Sequence, residues 1–101
     1  MNLQYELRES VLKASVSGEL GHHEAIELMT RLSALIEDLL PGEAVLDLSA
    51  LEFMDSSGIA VVVQTARKCQ ACGARFRVEG VPKQARKVLF TAGIQRLVDI
   101  R

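Results

Sequence analysis

The apolar residues of this chain switch between a period near 3.6 and a period of two, and that switching restricts the fold more than any other feature. From His22 to Leu40, Ala25, Leu28, Met29, Leu32, Leu35, Ile36 and Leu39 recur at steps of three and four. This spacing puts them on one face of an amphipathic helix about five turns long. Glu24, Glu27, Arg31 and Glu37 fall largely off that stripe, and "PG" at 41–42 stops it. "AVLDLS" at 44–49 is short and strand-like, which suits a central strand of a mixed sheet. "IAVVV" at 59–63 alone reads as a strand, because β-branched residues favour one. The longer window reads as a helix over 59–72: Ile59, Val62, Val63, Ala66 and Cys69 keep helical spacing, and Gly73 stands where a C-terminal cap belongs.

Residues 3–8 and 11–17 alternate loosely, as two strands around a turn near Glu9–Ser10, with Val11, Leu12 and Val16 supplying the apolar content of the second. "SGEL" at 17–20 reads as that strand's end and a turn, with Gly18 free to adopt unusual dihedrals. Downstream, "RFRVEGV" at 75–81 alternates as a strand does. "PKQARKVLFTAG" reads as a short helix with Pro82 in its first turn, Ala85, Val88, Leu89 and Ala92 inward, and Gly93 closing it. "IQRLVDI" at 94–100 reads as a last strand. Two strands followed by three helix–strand pairs predict an α/β domain, with helices packed on a mixed central β-sheet.

At 101 residues the chain is sized for one domain, residues 1–101, and its 49% apolar content is enough for a core without disulfides. A net charge of −1 gives no footprint for nucleic acid. The apolar runs are too short to insert in a membrane, and "MNLQYELRES" lacks a signal peptide's basic flank and apolar core, so a cytoplasmic home is expected. Cys69 and Cys72 complete neither a disulfide framework nor a zinc ligand set.

"MDSSG" at 54–58 sits between a strand end and a helix start, at the sheet edge where sites gather. Two readings apply. Asp55, Ser56 and Ser57 are all good N-caps, and one of them capping the helix would contribute about 1 kcal/mol with no function implied. Alternatively, a phosphate on Ser57 would meet the unpaired N–H groups and partial positive charge of a helix start, adding about −1.5 to −2 charges in one step. A partner fitted to that helix end would then lose its fit.

"DLSALEFMDSSGIAVVV" (47–63), "VSGELGHHEA" (16–25) and "ARKVLFTAGIQRLVDI" (85–100) resemble, in order, the blocks of a STAS domain of the bacterial anti-sigma factor antagonist type. The resemblance implies partner switching: the unmodified protein binds an anti-sigma factor that is also an ATP-dependent serine kinase, freeing a sigma factor. Phosphorylation releases it, and a serine phosphatase resets it. ATP would be bound by the kinase, so no cofactor is expected here, and the protein would not be an enzyme. By position the acceptor is Ser57. Asp55 and Ser56 shape the loop, Gly58 permits close approach of the partner's backbone, Ile59 follows, and Glu19, Gly21, His22 and His23 share the docking surface. Two departures stand out. The family usually has aspartate where this chain has Gly21, which removes a carboxylate near the acceptor. It also often adds a helix after the last strand, so one edge or face is expected to be less covered and could meet another subunit. The competing class is a STAS domain that binds without being phosphorylated, in a lipid-transport complex or a signalling scaffold.

Other chemistry is weaker. Ser57 with His22 or His23 has the residue types of a hydrolase but no G-x-S-x-G elbow. "CQAC" at 69–72 closes a helix, where the dipole disfavours a thiolate, so a structural pair is expected. Lys83, Arg86 and Lys87 read as a solvated face, or else as a contact for an acidic partner.

Overall fold

The stripe that begins at His22 is a helix in the structure, a computed structural model that describes residues 1–101. In chain order the elements are β1 (Asn2–Arg8), β2 (Val11–Leu20), α1 (His22–Leu39), β3 (Glu43–Met54), α2 (Ser57–Ala71), β4 (Arg75–Glu79), α3 (Lys83–Thr91), a 3-10 turn (Ile94–Arg96) and β5 (Asp99–Ile100). The five strands form one sheet in the order β1-β2-β3-β4-β5. Only β1 is antiparallel to its neighbour; the other pairs are parallel and joined through α1, α2 and α3. No helix is long and apolar enough to cross a membrane.

One sheet face builds the core. Leu12, Ala14 and Val16 of β2 and Ala44, Leu46 and Leu48 of β3 are buried, as is Val78 of β4. Ala25, Leu28, Leu32 and Ile36 come down from α1, and Val61, Val62 and Cys69 from α2. Fully burying each larger side chain contributes roughly 1.5–3 kcal/mol. Glu37 of α1 pairs with Lys68 of α2 across the top. On the other face Lys13, Val45 and Arg77 stand in register. Val45 is 2% exposed yet belongs to neither apolar cluster. Charged neighbours surround it: Lys13 lies 3.8 Å from Asp47 and 3.5 Å from Glu79, and Arg77 pairs with Glu43 and Glu79. Lys13 and Arg77 flank the valine on the neighbouring strands, and long charged side chains of this kind cover apolar surface with their stems.

Four expectations are corrected. "SGEL" is not a turn: β2 runs on to Leu20 through register shifts on either side of Ser17–Gly18, with Gly18 at φ +87°. β3 likewise continues to Met54, well past Ser49. "IQRLVDI" is not a seven-residue strand, because Ile94 and Val98 are buried at a helical step and the Val98 N–H donates to the Ile94 carbonyl. Only Asp99 and Ile100 pair with β4. Ala92 is exposed at the C-cap of α3 rather than inward.

Two tight turns use residues other than glycine at positive φ. Glu9 (+50°) and Ser10 (+67°) form the two-residue β1–β2 connection, held because the Ser10 carbonyl and hydroxyl oxygens accept the Gly42 N–H. Leu40 ends α1 in the left-handed region (φ 44°, ψ 57°), with its side chain 64% exposed and Pro41 following. A leucine pays for that conformation without burying itself. Leu40→Gly is therefore expected to stabilise the protein by roughly 0.5–1 kcal/mol in urea denaturation, with no change in the slope of the transition.

Beside the outer flank of α2 lies a groove of about 530 Å³, lined by Val63, Ala66, Gln70, Phe76 and Val98, with Leu97 71% exposed at its mouth.

Candidate functional site

β2 and β3 end together: Leu20 pairs with Met54, and the Asp55 N–H donates to the Leu20 carbonyl at 3.2 Å. The starts of α1 and α2 are thereby brought side by side, with Gly21 next to Asp55.

The cap of α2 is Asp55. Its Oδ1 accepts the Ser57 N–H at 2.8 Å, and its carbonyl accepts the Gly58 N–H at 3.0 Å. Ser56 holds the N-cap position with helical angles (φ −61°, ψ −17°), but its side chain makes no capping bond. Neither serine is thus needed as a cap. Ser56 is exposed, and half-buried Ser57 is the first residue of α2, its hydroxyl without a hydrogen-bond partner in the protein.

Gly58 is buried, and its lack of a side chain serves the interior. A Cβ there would stand 2.4 Å from Met54 Cγ and 2.5 Å from its Sδ. Met54 is fully buried, so this glycine lets α2 start directly over the end of β3. This is an internal reason for glycine at 58, beside the room for a partner's backbone that the resemblance implies. Ile59 is half-buried against the core.

On the neighbouring turn, Gly21 is the N-cap of α1, and its N–H donates to Glu24 Oε1 at 3.0 Å. His22 and His23 are exposed, their rings edge to face at 5.8 Å. No hydrogen bond joins either histidine to Ser57, so the nucleophile–base pair of a hydrolase is not assembled. Glu19 is exposed and stands opposite Phe53, which is 45% exposed.

Gln84 belongs to the site's framework, and sequence reasoning missed it. Its Nε2 donates to the Met54 carbonyl at 2.7 Å, and its Oε1 accepts the Met54 N–H at 2.8 Å. Because β4 pairs only with residues 43–47 of β3, the end of β3 has no strand on that side, and this amide takes the strand's place. Gln84→Ala leaves both backbone groups unpaired. Its expected cost is roughly 1–3 kcal/mol in chemical denaturation, with amide exchange accelerated first around Met54–Ser57.

The other candidates settle as follows. Lys83, Arg86 and Lys87 are exposed and form no ion pairs; Arg86 lies over the Phe90 ring at 4.3 Å. Cys69 is buried and Cys72 caps the end of α2. Burial, and secondarily Cys72, pushes the Cys69 thiol up to about 11, so it stays protonated at neutral pH.

The STAS domain model matches residues 2–101. An anti-sigma F factor antagonist of Paenibacillus polymyxa is 30% identical over 102 residues, covering 99% of this chain and 87% of that protein. Among solved structures, an anti-sigma factor antagonist from Mycobacterium paratuberculosis superposes with a TM-score of 0.87 at 27% identity, covering 98% of this chain and 83% of that one. The anti-sigma factor antagonist SpoIIAA in its unphosphorylated form shares the fold, with a TM-score of 0.84 at 24% identity over 99% of this chain and 88% of its own. With its mixed five-stranded sheet, three crossover helices and paired helix starts, this chain belongs to the STAS domain family.

Proposed function

We propose that this protein is an anti-sigma factor antagonist: a regulatory binding protein, not an enzyme, that docks on an anti-sigma factor with serine-kinase activity and is released when Ser57 is phosphorylated. The observation carrying this reading is the Ser57 hydroxyl, which stands in the first turn of α2 with no bond to the protein while Asp55 does the capping. In the transfer, Ser57 Oγ bonds to the γ-phosphorus of kinase-bound ATP and the bond to the departing ADP oxygen breaks. The hydroxyl proton passes to a base of the kinase. The product places a dianion beside Asp55 in the docking surface formed by Glu19, Gly21, His22, His23, Ser56, Gly58 and Ile59, and a surface fitted to the neutral serine is then repelled. A serine phosphatase restores the hydroxyl.

The test is capture of the native partner followed by incubation with ATP and intact-mass measurement. Gain of one phosphate on Ser57, with release of a kinase-like partner, supports the reading. Capture of a transporter ATPase with no gain in mass would instead assign the chain to STAS domains that bind without being phosphorylated.

A further inference from the structure

We infer that Glu24 couples the two helix starts: it fixes the β2–α1 turn and transmits charge added at Ser57 to that turn. This rests on Ser57 being the phosphoacceptor. The observation is the space over Gly21. A Cβ there would lie 2.9 Å from Glu24 Oε1 and 3.5 Å from Asp55 Oδ2, so two carboxylates from different elements converge on it. Neither carboxylate is paired with a cation. Each holds the amide at one helix start: Glu24 holds Gly21 at the N-cap of α1, and Asp55 holds Ser57 at the first residue of α2.

A phosphate on Ser57 competes with Asp55 for the amides at the start of α2, since these are what an anion at a helix N-terminus binds. Displaced, Asp55 turns its carboxylate toward Gly21, where Glu24 Oε1 already stands. Like charges there repel, and Glu24 releases the Gly21 N–H. The turn bearing His22 and His23 then changes shape, although the modification lies on another helix.

The experiment installs phosphoserine at position 57 of the full chain during synthesis, without any kinase, and follows hydrogen exchange at the position-21 amide by NMR. In the wild-type chain, phosphoserine is expected to accelerate exchange at Gly21 by about tenfold. Glu24→Gln keeps an oxygen for that amide but removes the charge, and should reduce the acceleration below about threefold. Gly21→Ala has permitted backbone angles (φ −103°, ψ −167°) but inserts a Cβ where Glu24 sits. Its amide should exchange fast already, with little added by the phosphate. An unchanged Gly21 amide in the phosphorylated wild type, or an undiminished response in either variant, overturns the inference. Failure of any cellular kinase to modify Ser57 would sink the proposed function yet leave this comparison readable.

Discussion

Gly58→Ala is expected to lower stability by about 2 kcal/mol, although alanine is the better helix former by about 1 kcal/mol. Gly58 has no unusual backbone angle, so the entire effect comes from space. The added Cβ falls within 2.4–2.8 Å of Met54 Cγ, Sδ and Cε. Met54 has nowhere to retreat: its side chain is fully buried, and its backbone is held on both polar groups by Gln84. Overpacking of this kind costs about 1–3 kcal/mol, and three simultaneous overlaps put it near the top of that range. For a chain of this size the melting temperature should fall by about 8–16 °C. Met54→Ala alone opens a cavity and costs about 2–5 kcal/mol. In the double variant the two defects fill one another, so the combined loss should fall short of the sum by at least about 1 kcal/mol. Strict additivity would show that Gly58 and Met54 do not compete for the same volume.

The second large effect is on binding. Ser57→Asp should weaken affinity for the anti-sigma factor by about a hundredfold, or roughly 2.7 kcal/mol, the scale of like-charge and desolvation penalties at a docked surface. Ser57→Ala should bind as the wild type does and resist release by ATP. Its stability should stay within about 0.5 kcal/mol of wild type, since the hydroxyl it removes has no internal partner. Titration calorimetry with and without ATP separates these results. Aspartate brings less charge and fewer acceptor oxygens than phosphate, so the phosphorylated protein should bind more weakly still. Equal affinity of all three forms would remove Ser57 from the docking surface.

What could be read before the structure was whatever depends on neighbours in sequence. The stripe from Ala25 to Leu39 declares α1, and the longer window over 59–72 correctly overrides the strand-like "IAVVV". The grouping of Asp55, Ser56 and Ser57 at a helix start is equally local. What could not be read depends on a partner distant in the chain. The register shifts that carry β2 to Leu20 exist only against β3. Gln84 looks like any surface glutamine until it faces an unpaired stretch of strand. That Gly58 leaves room for Met54 is likewise hidden, because no pattern of types reveals a buried neighbour four residues back pressing on a missing side chain. "IQRLVDI" misleads because seven residues of mixed polarity fit either period, and the buried step from Ile94 to Val98 decides.

Strand order in the sheet equals strand order in the chain. On the ribosome, each new strand therefore emerges to find its neighbour already made, with little search through remote pairings. The end of β3 is the exception. Its final clamp comes from residue 84, after four of the five strands have been synthesised. A nascent or truncated polypeptide ending before Gln84 would carry its serine on a frayed strand end, whereas the finished molecule offers it on a rigid one. Completion of the chain is in this way a condition for holding the start of α2 in its final geometry.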